Sequence, residues 1–308
     1  MPRLTTSDPE LTGVLVIDKP LGCTSRAVVN RINRWLGVRS AGHAGTLDPQ
    51  ASGILVVAVG EATKLIRWLQ DAAKTYEVTI ALGAATVSDD AASAIVATAP
   101  VPDSLSLAQI QAILDSWQGA MAQVPPQVSA LQQDGVRDHQ RVRRGETVDR
   151  APRQVMLHRA RVMDLDGPAL QLEVTCGSGF YVRALARDLA LALGTLGHVV
   201  ALRRTAGSGF ALPDALALEA LIQQPCAAFA DLALDLRTAI GRLLPALQVD
   251  PQTALMLRQG KTPSVAHAVS GLAVAVVDQE LVAIVDVADG QATVVRGFAH
   301  TAVRVEPK

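Results

Sequence analysis

Cysteine, aromatic side chains, net charge and long apolar runs are all scarce in this chain. Its three cysteines, Cys23, Cys176 and Cys226, are odd in number and far apart, which argues against a disulfide framework and for reduced thiols in a cytosol. No CxxC pair or histidine cluster offers metal-ligand spacing, so no metal is expected. No uninterrupted apolar run approaches the roughly 20 residues that span a bilayer, and the opening MPRLTTSDPE has no apolar leader core. A cytoplasmic protein that does not contact membrane is expected. With 28 Lys+Arg against 29 Asp+Glu, the total charge does not announce a polyanionic partner.

What is present is core-forming material, 49% hydrophobic over 308 residues. At roughly 100 to 200 residues per domain this suggests about two domains, with apolar surface enough for a sizeable core. The charge is also unevenly spread. Between Lys19 and Leu47 there are five basic residues and no acid. Between Arg137 and Arg161 there are eight arginines against three acids. Two basic stretches in a neutral chain suit a surface that meets phosphates, although solvated arginines explain either stretch alone equally well.

Periodicity predicts the elements. Gly13 to Ile17 reads as a buried strand leaving into the turn Asp18-Lys19-Pro20. A helix follows, capped by Thr24 or Ser25, with Val28, Val29, Ile32, Trp35 and Leu36 on one face and Gly37 just past its end. Arg39 to Ser52 reads as a loop, Gly53 to Val59 as a strand buried on both faces, and Glu61 to Gln70 as a short helix. Lys74 to Leu82 alternates, with Tyr76, Val78, Ile80 and Leu82 on one face. Leu107, Ile110, Leu114 and Trp117 mark a helix, which gives way after Pro125-Pro126 to an irregular Arg-rich segment reaching about Arg153. Strands near 155 to 163 and 169 to 176, then a helix over Tyr181 to Leu193, complete this part. From about residue 247 a short helix, Pro251 to Gln259, and three apolar runs read as a small β-rich domain.

Several chemical signatures fail. Gly260-Lys261-Thr262 lacks the first glycine of a phosphate-binding loop, because Leu255 stands in its place. Gly177-Ser178-Gly179 and Gly207-Ser208-Gly209 lack nucleophile-elbow spacing. Asp89-Asp90, in a Ser/Ala-rich turn, reads as a solvated pair; as acid and base of a glycoside hydrolase together with Asp48 it would need a carboxylate separation that spacing cannot give. The stretch from Gly42 to Gly53 is different. Three glycines, His43 and Asp48 in twelve residues let backbone approach a ligand while a constrained turn presents a carboxylate. An Asp-Pro turn with a surface histidine explains it about equally well. Tyr181, one of only two tyrosines, precedes Arg183, and an arginine near Asp48 would keep it ionised beside an aromatic face that can stack on a base.

At these residues the chain resembles the bacterial tRNA pseudouridine-55 synthases, the TruB family. GHAGTLDPQASGILVVAVGEATK from Gly42 to Lys64 is similar to the family's catalytic motif. Further matches in family order are Asp18-Lys19-Pro20 with Thr24-Ser25, Lys74-Thr75-Tyr76, Pro125-Pro126 with Ser129-Ala130, Gly179 to Leu185, and Leu202-Arg203-Arg204-Thr205. They cover about residues 11 to 212. The resemblance implies an α+β fold: a mixed, mostly antiparallel sheet flanked by helices, with a thumb-like insertion near 124–153 in a catalytic domain of 1–246, and a PUA-like RNA-binding domain of 247–308.

It also implies a reaction, isomerisation of uridine 55 in the T arm of tRNA, in which the glycosidic bond breaks and the base is rejoined through carbon 5. Asp48 would be the catalytic aspartate and Arg183 its partner. Tyr76 would stack on the flipped uracil, with Tyr181 and Leu202 completing the pocket. His43 would fill the gap left by the extruded nucleotide, and Asp90 would contact flipped nucleotides. Lys19 and Lys64 match basic positions near RNA or structural contacts, and Arg141, Arg143 and Arg144 would meet phosphates from the thumb. No cofactor, metal or obligate protein partner is implied, and a monomer acting alone on tRNA is expected. The chain departs from the family pattern at Gln132, His139 and Val87, which bears on thumb contacts and substrate range. Two other readings stay open: a tRNA-binding folding helper in which catalysis is secondary, and a synthase for a different RNA.

Overall fold

The computed structural model describes residues 11–128, 151–265 and 269–299, together with two paired dipeptide strands at 132–133 and 136–137. Arg141, Arg143, Arg144 and His139 lie outside the described residues.

The chain opens with β1 (Gly13–Lys19) and α1 (Ser25–Leu36). Thr24 caps the helix, its hydroxyl accepting from Ala27 N at 3.0 Å, and Gly37 ends it at φ 70°, the left-handed conformation that glycine adopts without a Cβ penalty. Next come β2 (Gly42–Ala44) and β3 (Ala51–Val59). From Gly53 onward β3 is apolar because it is covered twice. Leu55, Val57 and Val59 join Val28, Val29 and Ile32 of α1 in one cluster, while Ile54, Val56 and Ala58 enter another. A two-turn 3-10 segment (Gly60–Leu65) leads into α2 (Ile66–Asp71), then β4 (Lys74–Leu82). β4 has one covered face, so Tyr76, Val78, Ile80 and Leu82 are buried and Glu77 is exposed.

The ribbon of β5 (Ala84–Thr86) and β6 (Ile95–Thr98) precedes α3 (Leu107–Ser116) and β7 (Gly119–Gln123). A reciprocal Ser106–Gln109 cap starts α3. The dipeptide strands are β8 (Gln132–Gln133) and β9 (Val136–Arg137), followed by β10 (Arg153–Asp166), β11 (Ala169–Cys176), α4 (Val182–Ala192), β12 (Gly197–Gly207), β13 (Phe210–Ala211) and β14 (Leu216–Ala217). The main sheet runs β14-β1-β3-β12-β4-β11-β10-β7, with β2 on β3 and β13 on β12. Only the β1–β14 and β3–β12 pairings are parallel; the mixed, mostly antiparallel sheet flanked by helices is therefore what the chain builds. α3 and α4 cover the Tyr76 face of β4 and β11.

Near the end, α5 (Leu236–Gly241) leads to β15 (Ala246–Gln248), α6 (Pro251–Arg258), β16 (Gly271–Val277), β17 (Glu280–Ala288) and β18 (Gln291–Gly297). The last four strands form their own sheet. It packs back through Val274, Val276 and Ile284 onto Leu236 and Ile240 of α5, in the same cluster as Leu65 and Leu69. Among the described residues, no helix is long and apolar enough to cross a membrane.

Two expectations need correction. The loop predicted from Arg39 to Ser52 contains β2, whose three residues are too few for a period to show, and β3 begins at Ala51. The helix predicted over Glu61 to Gln70 is split, its first half tightened to 3-10 geometry.

Candidate active site

The turn that carries Asp48 is held from three sides. Ser25, the first residue of α1, accepts from Leu47 N at 2.8 Å and donates to Leu47 O at 3.0 Å. Ala51 N closes the turn on Asp48 O at 3.0 Å, and Gly22 N reaches Pro49 O at 2.8 Å. Gly53 is obligatory for this geometry: its φ is 100°, and a Cβ there would stand 2.2 Å from the carbonyl oxygen of Arg204. Parallel β12 therefore passes too close to β3 for any side chain.

Arg183, on the first turn of α4, meets this turn. Its Nη2 lies 2.9 Å from Asp48 Oδ2 and its Nη1 3.5 Å from Asp90 Oδ2; the Arg183 side chain is 6% exposed and that of Asp48 40%. Nη1 also donates to Ser88 O at 2.7 Å and Val128 O at 3.1 Å. The guanidinium is thus fixed from behind while the carboxylate stays open in front. A buried cation engaged in this way holds its partner carboxylate in a fixed orientation.

In front of the pair is a cleft of about 240 Å³, lined among others by Asp48, Lys74, Tyr76, Tyr181, Leu202 and Arg204. This is below the roughly 300–1,000 Å³ of typical small-molecule sites. Tyr76 sits on β4 and is buried, which raises its phenol pKa against the pull of Arg204. Tyr181 is fixed at the helix start by Gln123, which accepts from its N–H at 2.8 Å and donates to its carbonyl at 3.0 Å. Two aromatic walls, an apolar leucine and an open carboxylate allow stacking on a planar ring with a charged group held beside it.

The other expected site residues fall elsewhere. Asp90 is not a solvated acid: it is buried, accepts from Ser88 Oγ at 2.5 Å and serves as a second carboxylate on Arg183. Asp89 pairs with Arg187 at 3.0 Å, and burial raises its pKa despite that arginine. The reading of Asp89-Asp90 as a surface turn fails because α4 brings two arginines, one turn apart, against it. Lys19 is fully buried and its ammonium donates to Pro20 O at 2.9 Å and Cys23 O at 2.8 Å. It braces the turn before α1, the structural one of its two expected roles. Lys64 pairs with Glu61 at 2.5 Å and stands 5.9 Å from the Phe298 ring, so it joins the two sheets and does not line the cleft. His43 is half-buried on β2, with burial and then Arg204 and Arg26 lowering its pKa.

Sequence reasoning did not single out Ser25 as the clamp on Leu47, or Lys74 and Arg204 as cleft cations. Lys74 donates to Gln70 O at 2.6 Å and Ala72 O at 2.7 Å, and burial, with Arg204 next, lowers its pKa to about 8. Both lie inside matched motifs, so the letters were visible and their convergence was not.

Comparison with known proteins gives the following. The N-terminal domain of TruB family pseudouridylate synthases matches residues 33–182. The tRNA pseudouridine synthase B of Ruegeria pomeroyi is 42% identical over 257 residues, 82% of this chain and 82% of that protein. The tRNA pseudouridine synthase B of an Arthrobacter species is 38% identical over 304 residues, 94% of this chain and 97% of that protein. Among solved structures, a chain in the crystal structure of a Cbf5-Nop10-Gar1 complex superposes with a TM-score of 0.69 at 25% identity, covering 89% of this chain and 78% of that one.

Proposed function

Because the chain belongs to the TruB family of pseudouridylate synthases, and so is an isomerase acting on RNA, we propose that its substrate is the T arm of tRNA and its target uridine 55. The observation that carries this reading is the Asp48–Arg183 pair, 2.9 Å apart, at the mouth of a cleft walled by Tyr76, Tyr181 and Leu202. A uridine in a folded loop is unreachable until it is extruded, and the size and walls of the cleft suit one flipped base.

In this reading Asp48 acts at the reacting nucleoside and Arg183 keeps its carboxylate aimed. The bond from the sugar to N1 breaks, a bond to C5 forms, and the C5 proton is exchanged for one on N1, so the product is an isomer. Tyr76 stacks on the uracil, and Tyr181 and Leu202 keep water from the open sugar. Asp90 acts from behind by holding Arg183, and His43 acts at the rim, in the space the extruded nucleotide leaves. The Arg-rich segment with Arg141, Arg143 and Arg144 serves as a phosphate-binding thumb. Residues 1–246 form the catalytic unit and residues 247–308 a PUA-like RNA-binding unit. The enzyme works in the cytoplasm as a monomer, without a cofactor or an obligate protein partner; alignment along 94% of the chain with an enzyme named for tRNA supports this over a guided assembly.

The test is tritium release from a T-arm stem-loop carrying 5-tritiated uridine at position 55, with the purified protein and its Asp48→Asn variant. Release by the parent and none by the variant is expected. Salt-sensitive binding by both without release would replace this reading with an RNA-folding helper or a different RNA substrate.

A further inference from the structure

Arg204 has no task in the reading above, yet it is one of the largest fully buried side chains of the protein. It stands directly opposite Tyr76 in the β12–β4 pairing. Its Nε donates to Ile54 O at 2.5 Å and its Nη2 to Gly45 O at 3.3 Å, so the guanidinium is pinned both to β3 and to the turn that carries Asp48. Its Nη1 is buried and meets no acceptor in hydrogen-bond geometry. A cation stripped of water with a donor left over is costly unless the donor has a use.

The surroundings say where that donor is directed. Arg204 lines the cleft with Gly45, Lys74 and Tyr76, and a Cβ built on Gly45 would come within 3.5 Å of Nη1. The charged and titratable groups that act on the Tyr76 phenol are Arg204 from β12, Cys176 from β11 and Asp48 from the turn. Cys176, pushed up to about 12 by burial, stays a neutral thiol, and the Asp48 carboxylate is taken by Arg183. Lys74, the other nearby cation, gives two of its three protons to Gln70 O and Ala72 O, which draw it toward the end of α2. Arg204 acts on the phenol both as a charge and as a hydrogen-bonding side chain, and its Nη1 is the buried nitrogen there that lacks a well-formed bond.

We propose that Arg204 is a positioning residue for the Tyr76 hydroxyl. Nη1 is the donor that the phenol oxygen engages when the ring closes on a base, while Nη2 couples that ring to the Asp48 turn through Gly45 O and Nε anchors it to β3 through Ile54 O. Hydrogen bonds of this kind are often misaligned in a free enzyme and tighten when the site fills. The proposal rests on the reading of the cleft as a uracil pocket, but its first test needs no RNA.

The chain holds only two tyrosines. Replacing both with 3-fluorotyrosine gives two fluorine resonances, which a Tyr181→Phe variant assigns, and the Tyr76 phenol can then be titrated alone. Arg204→Met should raise its midpoint by about one pH unit, the scale of a neighbouring charge removed, whereas Arg204→Lys should stay within about a third of a unit of the parent. If Arg204→Met does not fold, Arg204→Gln, which keeps donors without charge, carries the same expectation. An unmoved midpoint in a folded neutral variant overturns the proposal. With tRNA, Arg204→Gln should lower kcat about tenfold and leave KM within about threefold. The loss should vanish in a Tyr76→Phe background, because positioning needs the hydroxyl. A full additional loss there would mean that Arg204 acts independently of Tyr76. A parent that does not convert tRNA would sink the functional reading, and the titration would still decide the role of Arg204.

Discussion

The main sheet and its helices bury Lys19, Lys74, Arg183 and Arg204 together with Asp89 and Asp90, whereas every buried side chain described between residues 246 and 297 is apolar. The two regions belong to one folded chain and share a hydrophobic cluster, so the contrast does not come from different solvents or partners. Burying charge is costly even when it is paired, and replacement by apolar side chains is often neutral or stabilising. A chain that keeps six lysine, arginine and aspartate side chains buried in one region, and none among the described residues of the other, is retaining them for a use in that region. The C-terminal sheet shows what this sequence does when only stability is at stake: Val274, Val276, Ile284 and Val285 fill the space.

Substitutions at the charged end should therefore hurt activity beyond their effect on stability. The largest loss is expected for Arg183→Met. It removes the partner of Asp48 and strands Asp90, whose side chain is 9% exposed. Conversion should fall about 10³-fold, as for loss of a fixed electrostatic group, and stability should fall by about 3 kcal/mol, the scale of breaking a buried pair. Single-turnover conversion alongside chemical denaturation separates the two. Activity lost only in proportion to the unfolded fraction would erase the contrast between the regions. A smaller loss is expected for Tyr76→Leu, which keeps apolar volume and removes the ring and its hydroxyl. Conversion should drop about 10²-fold while tRNA affinity stays within about threefold; equal losses in both would take Tyr76 out of the reactive pocket and leave it a binding surface.

How much of this could be read from the letters also differs between regions. The three long C-terminal strands were plain, because each is an apolar run bounded by turns, and only β15, three residues long, was hidden. β4 and α1 were plain for the same reason: alternation and a 3.6-residue stripe survive whatever the rest of the chain does. At the charged end the apolar framework was legible and the charged contacts were not. Asp48 and Arg183 were linked through motif resemblance, which carries the memory of a fold that periodicity does not contain. Asp89-Asp90 was misread because a Ser/Ala-rich turn looks solvated until α4 lays Arg183 and Arg187 across it. Lys74 and Arg204 were visible as letters, but their burial depends on the antiparallel register that sets β12 against β4. Nothing local in either strand encodes that register.

The smallest effect on chemistry, and the sharpest control for the contrast, is expected for Ile284→Ala. Ile284 is fully buried in the cluster that joins the C-terminal sheet to α5 and to Leu65 and Leu69. Removing its outer methyl groups leaves a cavity that the surrounding sheet cannot close, which costs about 3 kcal/mol at such sites. The cleft lies elsewhere, built on the Asp48 turn, β4, β12 and the start of α4. Unfolding by denaturant should therefore shift to lower concentration, while conversion per folded molecule stays within about twofold of the parent. A loss of activity comparable to that of Tyr76→Leu in protein that remains folded would mean that the apolar sheet also sets the geometry of the cleft. The difference between the two ends would then be one of composition and not of role.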